Sequence, residues 1–289
     1  MSENNDPEIT IPKATKEPTK SVINPLLERA RLPGDTFRLP SCGVFYTNGE
    51  LDDETEDGEV HVYPMTGIDE ITISSAAKLF SGDGIIEVLS RCVPAIIKPK
   101  ELLAQDVDFL MLALRKVSYG PTADFDKIHE DCSAEREENV PLRKQSFQAN
   151  IAELLAQTKE IKHEDVATAY RVELDNGQIV KLAPMRFGPY IRLMQIVSQD
   201  IEGLKDENVQ FETMMGQLAD MITSVDEVAD RAMIREWLGA ITAGEVKKIN
   251  EAISEMSVWG VNSKFKVKCR DCKEEMEVEL PTNPLVLFS

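Results

Sequence analysis

A chain of 289 residues with a 42% apolar content can bury a sizeable core, in one large domain or two ordinary ones. Its formal charge of −19, from 51 acidic against 32 basic residues, removes the basic surface that phosphate backbones and anionic lipids require. It holds no apolar run near the roughly 20 residues that span a bilayer, so neither nucleic acid nor a membrane is expected as a partner.

The start, MSENNDPEIT, has neither the basic opening nor the apolar stretch of a secretory signal, and the five cysteines are expected as reduced thiols in a protein made in a cytoplasm. Residues 1–20 are polar and rich in Pro, Lys and Glu, a composition that reads as a disordered tail. Residues 21–36 contain NPLLERARLPG, with Pro25 at a helix start and a Pro-Gly stop. They read either as a docking segment that orders against a neighbouring subunit or as a fraying terminus.

Residues 37–46, with Phe37, Leu39, Val44, Phe45 and Tyr46 broken by Pro40 and Gly43, predict a short bent strand. The acidic run at 50–59 is too charged to bury and makes a turn; Val60-His61-Val62-Tyr63 return as the second arm and stop at Pro64. Thr66 stands at a helix N-cap, with Asp69 in the capping-box place. Helices are predicted over residues 68–80 and 84–93, interrupted by Ser81-Gly82-Asp83-Gly84. Residues 101–117, with Leu102, Leu103, Val107, Phe109, Leu110, Leu112, Ala113 and Leu114, are too apolar for a surface helix and should lie at the centre of their module. Residues 125–142 read as an irregular charged hairpin around Cys132, and 147–159 as a helix.

The second half repeats this plan. Residues 170–174 and 178–182 flank Asp175-Asn176-Gly177, a strong hairpin signal, and Val180-Lys-Leu-Ala-Pro184-Met185 parallels Val60-His-Val-Tyr-Pro64-Met65. Helices are expected over 189–201, 209–225, 227–238 and 243–256, with caps from residues 223–226 and from Thr242 with Glu245. Trp237 and Trp259 read as packing residues. Met214, Met215, Met221, Met233 and Met256 read as adaptable core filler, a share of which could form subunit-contact surface. Both halves end in a similar box, His129-Glu-Asp-Cys132 and Cys269-Arg-Asp-Cys272, which points to internal duplication.

Catalytic patterns are scarce. Ser81-Gly-Asp-Gly lacks the strand and lysine of a phosphate loop, no GxSxG or HExxH occurs, and His61 and His163 read as surface or strand-face residues. No catalytic residue, small-molecule substrate or cofactor-binding residue is therefore assigned, and no enzyme is expected. The exception is Cys269 and Cys272, placed between two strand-like runs as in the tip of a zinc knuckle. With His129 and Cys132 they make a possible closed Cys3His site joining the ends of both modules, structural because no position stays open for water. The other reading is a degenerate knuckle without metal, favoured by the missing glycine after each pair and by His129. Lys268, Arg270 and Lys273 would favour thiolates in either case. Cys42 and Cys92 read as small core or loop residues.

Several motifs follow one another along the chain: Leu39-Pro-Ser-Cys-Gly-Val-Phe-Tyr46, Val60-His-Val-Tyr-Pro-Met-Thr66 with Asp69-Glu70, Asp106-Val-Asp-Phe-Leu-Met-Leu-Ala-Leu-Arg115, and Val117-Ser-Tyr-Gly-Pro121. The last are Cys269-Arg-Asp-Cys272, Leu280-Pro-Thr-Asn-Pro284 and Leu287-Phe288. Together, and in this order, they resemble the T-even-type phage baseplate hub and hub-assembly proteins. In that family the first box resembles a Cys-x-x-Cys knuckle, whose first cysteine His129 replaces here.

The resemblance implies a structural part of the hub region of a contractile-tailed phage baseplate, held by contacts with other baseplate and hub proteins. The alternative is a hub-assembly chaperone absent from the finished virion. The expected fold is α+β, with two related modules, 37–145 and 146–289, each a β-hairpin followed by a helical bundle and a small knuckle hairpin.

Overall fold

Strand β1 (Asp35–Arg38) pairs antiparallel with β2 (Glu59–Val62), Asp35 opposite Val62 and Arg38 opposite Glu59. The structure, a computed structural model, describes residues 32–129, 132, 144–161, 166, 170–199, 207–280 and 287–288, with only the backbone at 197–199 and 207–212. The tail expected over 1–20 and residues 21–31 of the docking segment lie outside these residues, as does His163, while Asp35 and Thr36 at the end of that segment belong to β1.

The first arm is a strand only as far as Arg38. Residues 40–45 form successive turns instead, with Cys42 N–H bonded to the Leu39 carbonyl and Val44 N–H to that of Ser41. Cys42 and Gly43 both lie at positive φ, which no strand allows. Gly58 makes this possible: at φ +71 it packs backbone to backbone on the turn, where a Cβ would sit 2.7 Å from the Gly43 nitrogen.

After β2 the Thr66 N–H and hydroxyl both donate to the Asp69 carboxylate, the expected capping box, and start α1 (Gly67–Ile73). The helix expected over 68–80 is broken by Ser74-Ser75, with Ser75 in extended backbone, so α2 (Ala76–Phe80) is separate. Gly82, in left-handed backbone, turns the chain into α3 (Asp83–Cys92).

Helix α4 (Ala104–Tyr119) is central, as its composition required: Leu110, Leu112, Ala113 and Leu114 are all fully buried. Glu101 belongs to a short 3-10 turn before it, and Gly120 at φ +97 follows its last residue. Next comes the hairpin β3 (Thr122–Ile128) and β4 (Lys144–Asn150), with Phe125 opposite Phe147. Residues 147–150, expected in a helix, are strand, because alternation of Gln145, Phe147 and Ala149 toward the interior suits pairing with β3. Only Ile151–Ala156 (α5) is helical, capped by Asn150.

The second half opens on β5 (Arg171–Glu173) and β6 (Ile179–Leu182) around the Asn-Gly turn. Helices α6 (Phe187–Gln199) and α7 (Glu207–Met221) follow. The helix expected to reach Val225 stops at Met221. Ile222–Val225 (β7) instead adds a third strand beside β6, giving the order β5-β6-β7. Residues 223–226 thus cap nothing; Asp230 caps α8 (Arg231–Leu238) by accepting the Met233 N–H. Helix α9 (Ala243–Met256) carries the expected Thr242–Glu245 capping box. A final hairpin pairs β8 (Lys264–Lys268) with β9 (Glu275–Glu279).

The fold is α+β, with nine α-helices and four small antiparallel sheets among the described residues and no closed barrel. Each half runs hairpin, helices, hairpin, the second with β7 inserted among its helices.

Two hydrophobic cores form within Pro33–Ser289, which is one compact unit. The first surrounds α4 and takes in Met276, Val278 and Leu280 from the last hairpin. The second gathers β5–β7, α8 and α9, with Cys42 from the first half. Met215, Met221 and Met256 are core, whereas Met214 and Met233 are exposed. Trp259 is buried, and Trp237 donates its indole N–H to Gln178 at 3.0 Å.

Candidate metal centre

The last hairpin and β3–β4 meet face to face, with Phe125 edge-on to Phe265 at 5.6 Å between ring centres. That contact brings the two boxes together. His129 follows directly on β3 and Cys269 on β8, so each hairpin delivers a ligand type at a fixed strand end. The ligand atoms of His129, Cys132, Cys269 and Cys272 all lie within 4.8 Å of one another.

Cys132 Sγ lies 3.8 Å from Cys269 Sγ, and Cys272 Sγ 3.4 Å from His129 Nδ1. Zinc–sulfur bonds of ~2.3 Å and zinc–nitrogen bonds of ~2.0 Å, set at tetrahedral angles, put two sulfurs roughly 3.8 Å apart and a sulfur and a nitrogen roughly 3.5 Å apart. The donor set and these two separations fit one tetrahedral ion, and four protein donors would leave it no open coordination position.

The knuckle backbone prepares its own ligand. Cys269 N–H donates to the Glu274 carbonyl and Lys273 N–H to the Cys269 carbonyl, and Lys273 adopts the positive φ that closes the turn. The Cys272 N–H comes first in holding the Cys269 thiol well below the usual cysteine range, at about 6, against burial that pushes it upward. The Gln145 amide, the Asp271 N–H and His129 act in the same direction.

The flanking basic side chains have other work: Arg270 reaches the Ser146 carbonyl at 2.8 Å and Lys273 the Arg270 carbonyl at 2.6 Å. The sequence put forward the charge of these side chains; the largest downward influence on the Cys269 thiol is a backbone N–H. Gln145, on β4, touches the CxxC loop at several points and was missed because residues 147–159 read as helix, which hid the strand before them. Its signal was the Gln145, Phe147, Ala149 alternation.

The remaining sequence candidates lie elsewhere. His61 accepts or donates at Thr36 Oγ1 at 3.1 Å and packs edge-on to Tyr63, as a strand-face residue. Cys42 and Cys92 are buried, and burial pushes the Cys42 thiol up, away from reactivity. A second polar cluster went unforeseen: the Asp106 carboxylate accepts the Ser41 N–H and the Tyr46 hydroxyl, locking the 40–45 turn onto α4. No helix among the described residues is long and apolar enough to cross a membrane.

Comparison with curated proteins and with solved structures finds no match. Comparison with family models matches residues 50–286 to the T4 bacteriophage base plate protein family. That span runs from the acidic turn of the first hairpin through both boxes to the last hairpin, so the chain belongs to this family of T4-type phage baseplate proteins.

Proposed function

We propose that the protein is a non-enzymatic structural component of the hub region of a contractile-tailed phage baseplate, residing in the virion and acting through contacts with other baseplate and hub proteins. The family match over residues 50–286 carries this reading. The surface suits it. Among the described residues three of the four sheets are two-stranded, so each of their strands keeps one edge outside its ladder, available to a neighbouring chain. Ile68 and Ile71, 70% and 74% exposed one helical turn apart on α1, add an apolar contact face. Residues 21–36 serve as the docking segment, joined to the folded core where Asp35 and Thr36 enter β1.

Zinc bound by His129, Cys132, Cys269 and Cys272 ties the end of β3 to the last hairpin, and its role is structural. Cys269→Ser should abolish stoichiometric zinc in the purified protein; unchanged zinc content would exclude this ligand set. The functional reading is tested by mass spectrometry of purified virions. A fixed copy number is expected, whereas a protein bound to hub subunits in infected cells yet missing from finished tails would be a transient assembly factor.

A further inference from the structure

Burying a carboxamide is costly unless its groups find partners. Gln145 is 4% exposed, and every partner it finds lies in the CxxC loop of the other hairpin. Its Nε2 donates to Cys269 Sγ at 3.3 Å and to Asp271 Oδ2 at 3.0 Å, while its Oε1 accepts the Arg270 N–H at 2.8 Å. One side chain thus braces three of the four residues between and including Cys269 and Cys272. The amide can face only one way: reversed, its oxygen would oppose a thiolate and a carboxylate, and its NH2 group would oppose an N–H.

The charge of the site explains why such a donor matters. Three thiolates, a neutral imidazole and a divalent cation leave a net negative charge, enclosed in a chain already at −19. Donors that point at the sulfurs must offset it. The knuckle supplies the Cys272 and Asp271 N–H groups, and β4 supplies Gln145.

We propose that Gln145 is a positioning residue of the metal centre: it holds the Cys269–Cys272 loop in ligating geometry and, by donating to the Cys269 sulfur, sets how much electron density that sulfur gives the metal. This rests on the four ligands forming a zinc site.

The test uses the full-length protein, loaded with zinc and, separately, with cobalt(II) as an optical probe of the thiolates. Gln145→Met keeps the length and removes the N–H. It should weaken zinc binding roughly 10–100-fold, the usual cost of losing an outer hydrogen bond to a ligand. It should also move the sulfur-to-cobalt charge-transfer band to lower energy, because a sulfur without its hydrogen bond is the better electron donor. Gln145→Glu can still accept the Arg270 N–H but turns an oxygen toward Cys269 Sγ and Asp271, so it should bind more weakly than Gln145→Met.

A merely structural role would lower affinity and leave the band in place, so an unmoved band overturns the proposal, as does wild-type affinity in the variants. The two substitutions differ in shape and charge, and either one that folds by circular dichroism decides the matter. A wild-type protein that takes up neither metal overturns the zinc reading itself. Metal-binding wild type with indifferent variants overturns only the role of Gln145.

Discussion

Replacing Asp106 with asparagine should flatten part of the pH dependence of stability. The Asp106 carboxylate is fully buried near the start of α4, where it accepts the Ser41 N–H at 3.0 Å and the Tyr46 hydroxyl. Burial pushes its pKa from 3.8 to about 6, outweighing the two hydrogen bonds that pull it down. The folded chain therefore holds a proton here that the unfolded chain has already lost between those two values. The stabilisation is complete below the unfolded value and is lost as pH rises through about 6. A shift of about two pKa units corresponds to roughly 3 kcal/mol.

Asp108 behaves alike, raised to about 6 by burial, so the wild-type slope contains both residues. Only the difference between wild type and Asp106→Asn isolates Asp106. Asparagine still accepts the Ser41 N–H through its carbonyl, so the turn stays attached. Urea unfolding followed by circular dichroism, from about pH 4 to about pH 7, should show the variant gaining on the wild type by roughly 2.4 kcal/mol as pH rises, the remainder of the effect lying below pH 4. A difference constant across that range would refute the reasoning, because it would mean that Asp106 titrates alike in both states.

Two further outcomes follow from packing. Leu112→Ala, at a fully buried position in the middle of α4, should cost about 2–5 kcal/mol in urea unfolding; a loss below about 1 kcal/mol would show that α4 is not the centre of the first core. Gly58→Ala places a Cβ 2.7 Å from the Gly43 nitrogen at φ +71 and should lose more than about 1 kcal/mol, whereas Gly177→Ala, with nothing within 4 Å of its Cβ, should lose less, both read by thermal unfolding.

The local devices were legible because their chemistry is complete within a few residues. Asp175-Asn176-Gly177 carries its own turn preference, and Thr242 with Glu245 satisfies a helix end without outside help. The boxes at 129–132 and 269–272 could be paired on paper because each offers two of the four donors that a tetrahedral ion takes. Ile222–Val225 was not legible. It continues the apolar run of α7, and only the open edge of β6, far back in the chain, makes it a strand. The turn at 40–45 likewise needs Gly58 against its backbone and Asp106 beneath it.

By itself, then, the sequence determined the α+β class, the repeated order of hairpin and helices, the family and the four residues of the Cys/His cluster, all of which rest on local pattern and residue type. Tertiary structure decided how these parts engage: the last hairpin closing onto the core around α4, the third strand beside β6, and Gln145 set on the Cys269 sulfur. Each of those depends on a contact between segments distant along the chain, and such a contact has no energy until the fold has brought its two sides together.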